Sequence, residues 1–315
     1  MARFFYNLAL LLLLPYVGLH LLLRSRRQPE YLRHVGERFG GYDIDPGQAL
    51  IWLHAVSVGE TRAAQPLVSA LKARYPGHRI LLTHMTPTGR QASVELFGDG
   101  VLRAYLPYDY PFAVRRFLAH FRPAVGVIME TELWPNLVQA CKAQGIPLLL
   151  ANARLSEKSA RRYARFPNLT RRVLRDLAGI AAQTEQDAAR LAALGAPEVA
   201  VLGNVKFDIL PPPEQLARGE ELRRRIGLRP VLLAASTREG EEALLFDALA
   251  KRPPGEALLV VVPRHPQRFD EVAALAVKAG FVVQRRSEDA QIAPQTQVLL
   301  GDSMGEMAAY YSACD

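Results

Sequence analysis

The feature that most limits the fold is an alternation. Short, continuous apolar runs at 50–55, 79–84, 101–106, 124–129, 147–151, 178–182 and 199–202 are separated by amphipathic stretches such as 60–74, 111–121, 134–144 and 185–194. Strands buried on both faces read as unbroken apolar runs, because both sides of the pleat meet a core. Strand–helix alternation then implies a parallel sheet with right-handed crossovers. The pattern breaks at Pro211-Pro212-Pro213, which suits a stiff linker. It restarts with runs at 230–235, 257–262, 281–284 and 297–300 and helical stretches at 214–225, 239–251 and 267–279.

With 315 residues, half of them hydrophobic, the chain has material for two cores. The expected fold class is α/β: two Rossmann-like domains, residues 28–210 and 211–315, facing a ligand cleft in the arrangement called GT-B. The second domain reads as C-terminally incomplete, because Asp315 stands where a further strand should begin. Such a fold does not by itself give a function; sugar-nucleotide epimerases share it.

Residues 1–27 stand apart. The segment 4–23 is nearly all apolar and, as a helix, matches the thickness of a hydrocarbon core. No small-x-small cleavage site follows it, so an uncleaved anchor is favoured over a signal peptide. Arg3 alone precedes the apolar run, whereas Arg24, Arg26, Arg27, Arg33 and Arg38 follow it. The positive-inside rule then predicts a single-pass helix with the rest of the chain in the cytoplasm. A polar linker is expected from there to about Gly47. The formal net charge of +8 favours anionic partners, and the two cysteines, Cys141 and Cys314, offer neither a zinc spacing nor a disulfide framework.

Candidate chemistry lies at strand ends. The run 50–55 leads into Val56-Ser57-Val58-Gly59-Glu60, where Glu60 either faces a ligand or simply complements a helix dipole. The turn carries no G-x-G-x-x-G and no Walker lysine. Thr86-Pro87-Thr88-Gly89 forms the next turn. The run 124–129 ends in Met129-Glu130-Thr131-Glu132, two carboxylates that would share one face if the strand continued. Helix capping accounts for Glu132 but not for Glu130, which at a strand mouth must be paired or face the cleft. Lys206, in Gly203-Asn204-Val205-Lys206-Phe207-Asp208, is either a cleft cation or a surface lysine. Eight basic residues between Arg154 and Arg175 stand against the single acid Glu157. They form either a solvated face or a surface for anionic lipid; no nucleic-acid-binding module surrounds them. In the second domain the turns Ala235–Glu242, Pro263–Arg268 and Gly301–Met307 offer hydroxyl, guanidinium, imidazole and backbone amide groups that suit a nucleotide.

Seven of these segments, in order, resemble the 3-deoxy-D-manno-octulosonic acid (Kdo) transferases: HAVSVGE (54–60), METELWPN (129–136), NARLS (152–156), GNVKFD (203–208), STREGEE (236–242), PRHPQR (263–268) and GDSMGEM (301–307). A further glycine-rich segment of that pattern is expected beyond Asp315. The resemblance implies an inverting glycosyltransferase without metal or cofactor. It would move Kdo from CMP-Kdo to a phosphorylated, acylated lipid A precursor (lipid IVA) at the inner membrane, in lipopolysaccharide core synthesis. It implies Glu60 as general base, Glu130 and Lys206 as transition-state support, and Ser236, Arg264, His265, Met304, Gly305 and Glu306 around CMP. Arg161, Arg162 and Arg165 would meet the acceptor or the lipid. The alternative is a membrane-tethered sugar-nucleotide-binding protein without transferase activity, which would need neither Glu60 nor Glu130.

Overall fold

A computed structural model describes residues 2–47, 49–209, 211–251 and 255–315. The chain forms two compact units, Met1–Leu210 and Pro211–Asp315; Leu210, where the sequence places its boundary, lies outside the described residues. In the first unit helix α1 (Ala2–Ser25) precedes β1 (Leu50–His54), α2 (Val58–Ala63), α3 (Gln65–Arg74), β2 (Arg79–His84), α4 (Pro87–Phe97), β3 (Leu102–Tyr105) and α5 (Pro111–Phe121). Then come β4 (Val125–Met129), α6 (Pro135–Ala143), β5 (Leu148–Ala153), α7 (Glu157–Ala164), α8 (Pro167–Asp176), β6 (Gly179–Ala182), α9 (Glu185–Ala193) and β7 (Ala200–Val201). The second unit comprises α10 (Pro213–Ile226), β8 (Val231–Thr237), α11 (Glu241–Lys251), β9 (Leu258–Pro263), α12 (Phe269–Lys278), β10 (Val283–Arg285), β11 (Val298–Leu300) and α13 (Met307–Ala313).

Every strand pairs in parallel. The first sheet runs β3-β2-β1-β4-β5-β6-β7 and the second β10-β11-β9-β8. In the first sheet the order reverses at β1, and β1 is buried along its whole length. One face packs Trp52, Phe117 and Leu174; the other packs Leu53, Val68 and Leu82. Gly126 sits opposite Trp52 in the ladder, and a Cβ there would come within 2.6 Å of the indole. The indole N–H donates to Thr83 Oγ1 at 2.7 Å, so this buried ring keeps its one polar group satisfied. The second sheet is likewise covered on both faces, by Leu222, Ile226 and Tyr310 on one side and Phe246, Val272 and Phe281 on the other.

Four expectations need correction. The stretch 60–74 is two helices, because Pro66 starts α3 after Ala64. The triple proline is not all linker: Pro213 already occupies the first turn of α10. The segment 28–47 is not a loose polar linker either. Its 3-10 turns bury Glu37 and Arg38. The Glu37 carboxylate accepts from the Tyr105 N–H and from Arg90, both at 2.7 Å. The Arg38 guanidinium lies 4.1 Å from the Tyr105 ring centroid and donates to the Met85 carbonyl. A paired, stacked charge tolerates burial that an isolated one does not. Finally, β4 stops at Met129 and Glu130 turns into the left-handed region at φ 58°, so Glu130 and Glu132 do not share a strand face.

Helix α1 is long and apolar enough to cross a membrane. In the structure it is attached to its own unit. Tyr6 donates to Asp109 at 2.9 Å, Asn136 donates to Asn7 Oδ1 at 2.7 Å, and Tyr110 donates to the Leu10 carbonyl at 3.0 Å.

Candidate active site

The carboxyl edge of the first sheet gathers most of the acidic residues singled out by sequence. At the end of β1, Ser57 caps α2 and Glu60 is its third residue. Glu60 is buried; one carboxylate oxygen accepts from the Val56 N–H at 2.8 Å and the other from the Ser57 hydroxyl at 2.9 Å. This is a capping-box arrangement displaced by one residue. The helix-start role is therefore real, but it leaves a carboxylate with further lone pairs beside the sheet edge. Burial pushes the Glu60 carboxyl up, its two hydrogen bonds pull it down, Glu130 pushes it up and Lys206 pulls it down. Two elements remote in sequence therefore bring their charges to Glu60.

Glu130, half-buried, leaves β4 in the left-handed conformation, which L-residues adopt at some cost. Its N–H still donates to the Ala151 carbonyl at 2.9 Å, which holds the turn against β5. Glu132 does not cap a helix. The N-cap of α6 is Trp134, which makes no side-chain cap bond. The orphan N–H groups of α6 go instead to Asp109, whose carboxylate accepts from Asn136 and Leu137 at 2.9 Å each. Relieved of capping, Glu132 is pushed up to about 7, first by burial and then by the charges of Glu60 and Glu130. Three carboxylates thus meet at this edge, and sequence reasoning placed only two of them, Glu60 and Glu130, in the site.

Lys206 lies in a 3-10 turn at 205–208 after β7, solvent-exposed. Two amides, the buried Asn152 and the half-buried Gln183, fix its position. Asn152, at φ 54° in β5, accepts from the Val205 N–H at 3.2 Å, and Gln183 donates to the Asn152 carbonyl at 3.0 Å. Asn204 caps the turn by accepting from the Lys206 N–H. Neither Asn152 nor Gln183 was foreseen as a positioning group. Asparagine at a strand's carboxyl end, where it tolerates positive φ, is the signal available for the first.

In the second unit the singled-out turns follow β8, β9 and β11, neighbours in the sheet. Ser236 sits at φ 57° where the β8–β9 register slips, a bulge that re-aims its side chain. Glu242 and Arg268 form a bidentate pair at 2.8 and 3.0 Å, with Glu242 fully buried, and so brace the two turns rather than face a ligand. Arg264 and His265, on the same turn as Arg268, are exposed. Met304 and Gly305 are exposed as well. Glu306 is less available: it accepts from Ser303 at 2.6 Å and pairs with Arg218 at 3.3 Å and Arg286 at 3.6 Å.

The basic segment folds into α7 and α8, meeting at an elbow with Phe166 exposed. Lys158, Arg161, Arg162 and Arg165 line one depression of about 500 Å³. Arg161 pairs with Glu157 at 3.0 Å; among the described residues no carboxylate reaches Arg162 or Arg165. Beside it an apolar cavity of about 600 Å³ runs between α1 (Phe5, Tyr6, Ala9) and the elbow (Tyr163, Phe166, Leu169).

Residues 33–209 match the family described as 3-deoxy-D-manno-octulosonic-acid transferase (kdotransferase). Over its full length the chain is 44% identical to the 3-deoxy-D-manno-octulosonic acid transferase of Bordetella pertussis, covering 76% of that protein. It is 40% identical, again over its full length, to the enzyme of the same name from Haemophilus influenzae, covering 75% of it. Among solved structures, UDP-GlcNAc 2-epimerase from Neisseria meningitidis aligns with 84% of the chain and 74% of its own at a TM-score of 0.53 and 14% identity, a likeness of fold alone. The sheet-edge carboxylates, the order of the motifs and the length of these matches agree: the chain belongs to the Kdo transferase family of glycosyltransferases.

Proposed function

We propose that the protein moves Kdo from CMP-Kdo to the acylated, phosphorylated disaccharide precursor of lipid A, with inversion and without a metal or cofactor. It does so at the bacterial inner membrane, attached through α1 with both units on the cytoplasmic side. The observation that carries the mechanism is the convergence of Glu60 after β1, Glu130 and Glu132 after β4, and Lys206 after β7 on one sheet edge.

Glu60 is the general base. It takes the proton of the acceptor hydroxyl as that oxygen attacks the anomeric carbon, and its burial raises its proton affinity toward the range such a role needs. Glu130 and Lys206 act on the charge that develops as the bond to CMP breaks: Glu130 on the positive anomeric carbon, Lys206 on the anionic side. Ser236, Arg264 and His265, with the backbone at Met304 and Gly305, bind the CMP moiety. Glu306 contributes by holding that turn through Ser303. Arg161, Arg162 and Arg165 take acceptor phosphate, and the apolar cavity beside them suits acyl chain.

A binding protein without transferase activity would retain the nucleotide groups but have no use for the acidic cluster. The two readings separate in one assay. The purified protein in lipid is given CMP-Kdo with and without the acylated, phosphorylated disaccharide, and CMP release is measured. Release that requires the acceptor supports transfer; binding of CMP-Kdo with no acceptor-dependent release refutes it.

A further inference from the structure

Helix α1 carries its polarity in an order opposite to that of a water-facing helix. Half-buried residues recur at positions 3, 6, 7, 10, 14, 17, 20 and 25, with Leu21 buried among them, the three-and-four spacing of a single seam. The polar residues Arg3, Tyr6, Asn7, His20 and Ser25 lie on that seam, and Tyr6 and Asn7 are bonded to Asp109 and Asn136. Apart from Tyr16 and the terminal Arg24, the rest of the circumference is apolar and open: Phe4 is 67% exposed, Leu11 61%, Leu12 72% and Leu22 56%. A helix that turns most of its polar side chains to protein and its leucines outward is built for a hydrocarbon surround.

A crossing helix cannot keep this seam. Tyr6 lies 19 residues before Ser25, roughly 28 Å along the axis at 1.5 Å per residue. If the Arg24–Arg27 cluster marked the cytoplasmic surface, Tyr6 and Asn7 would stand near the far side of a hydrocarbon core about 30 Å thick. Asp109, the partner of Tyr6, and Tyr110, which donates to the Leu10 carbonyl, belong to an irregular loop after β3, and Asn136, the partner of Asn7, to the first turn of α6. Irregular backbone and a buried carboxylate of this α/β unit have no place at that depth.

We infer that α1 does not cross the bilayer but lies along its cytoplasmic leaflet, with its seam on the first unit and its outer face among the acyl chains. Charge placement fits an anionic leaflet. Arg24, Arg26 and Arg27 stand exposed at one end of the helix. At the other end, Phe5, Tyr6 and Ala9 share a cavity with the α7–α8 elbow, whose Lys158, Arg161, Arg162 and Arg165 also face out. Cations thus flank the apolar face at headgroup depth at both ends. The apolar cavity would then open to the leaflet from the side. The inference concerns topology alone and stands or falls apart from the catalytic reading.

The test uses single cysteines in a Cys141→Ala, Cys314→Ser chain. Phe4→Cys, Leu11→Cys and Leu22→Cys lie on nearly one face, because 18 residues make about five full turns and seven fall about 20° short of two. Each is labelled with an environment-sensitive fluorophore in phosphatidylethanolamine/phosphatidylglycerol vesicles and quenched by lipids carrying nitroxides at set depths. A helix in the leaflet gives three equal depths. A spanning helix puts Leu11→Cys deepest with Phe4→Cys and Leu22→Cys near opposite surfaces, and that result overturns the inference. In parallel, Arg3→Cys and Ser25→Cys are probed with a membrane-impermeant maleimide: both are expected to react in inverted vesicles and neither in spheroplasts. Reaction of Arg3→Cys from the periplasmic side alone overturns it. So does insensitivity of all three probes to lipid quenchers together with Leu11–Leu11 cross-linking between copies, which would assign the outer face to a second chain.

Discussion

Replacing Glu60 by glutamine separates the two roles the structure gives this carboxylate. As a cap, Glu60 accepts one backbone and one hydroxyl hydrogen bond. Glutamine keeps the shape: its carbonyl can still accept from the Val56 N–H, and its amide can donate to Ser57 Oγ. What is lost is the charge assistance, about 1 kcal/mol, offset in part because burial already disfavours the charged form. For a unit of this size that is a Tm shift of only about 2–4 °C. As a base, the same side chain contributes about 10²–10⁴-fold to rate, or about 3–5 kcal/mol of barrier. Glu60→Gln should therefore lose at least 100-fold in kcat for Kdo transfer at pH 7.5, while the affinity for CMP, bound by the other unit's residues, stays within about two-fold. Transfer is followed by acceptor-dependent CMP release, affinity by calorimetric titration, and stability by thermal scan. Near wild-type transfer by Glu60→Gln would falsify the base assignment. A large fall in Tm would show instead that capping is the carboxylate's main work.

Other outcomes follow from the same geometry. Asp109 caps α6, accepts from Tyr6 and is pushed up to about 6, chiefly by burial; Asp109→Leu, which leaves those donors unpaired, should cost about 2–5 kcal/mol in chemical unfolding. Glu132 holds its proton to about pH 7 in the fold against about 4.5 when unfolded. The native state therefore binds more protons between these values, and this group's contribution falls as pH rises through that window. Glu132→Gln should then be more stable than wild type at pH 8 by up to about 3 kcal/mol, with the difference gone near pH 4; equal stability at both pH values would exclude the perturbation. Gly126→Ala should overpack the site under Trp52 and Leu148 and cost about 1–3 kcal/mol, read from the denaturant midpoint. Exchanging Arg161, Arg162 and Arg165 together for glutamine should weaken binding to anionic vesicles and flatten its salt dependence; unchanged binding at low salt returns them to a solvated face. EDTA should leave transfer unaffected.

The strands were legible because β1, β2 and β9 are buried on both faces, so their apolar runs are unbroken. Runs predicted at 50–55, 79–84 and 257–262 differ from the observed elements by a residue at most. Helix α5, an amphipathic stretch between turn residues, is found where it was expected. The basic segment gave its charge but not its shape: the break between α7 and α8 comes at Phe166-Pro167, where proline starts the second helix, and that elbow makes the apolar cavity. Glu37 and Arg38 were read as linker because charge suggests exposure. Only tertiary partners 53 and 68 residues away, Arg90 and Tyr105, make their burial tolerable, and no local pattern encodes them.

The acidic edge shows where local reading stops. Spacing two apart suggested that Glu130 and Glu132 share a strand face, and a helix start suggested a cap for Glu132. Both inferences assume that the chain keeps regular geometry through residue 132. At Glu130 it does not: the backbone turns left-handed, β4 ends, and Asp109, from a loop after β3, takes over the capping of α6. That substitution is what frees Glu132. A carboxylate that caps a helix is held by backbone N–H groups, which favour its charge. Glu132 lacks those donors and faces Glu60 and Glu130 instead, so its proton is retained toward neutrality. The site's electrostatics therefore depend on a residue that touches none of the reacting groups. Removing Asp109 should disturb Glu132 as well as α6, and titration of Glu132 in Asp109→Asn, followed by carboxyl-carbon NMR, is expected to fall below that in the wild type as the helix start turns to Glu132 for a cap.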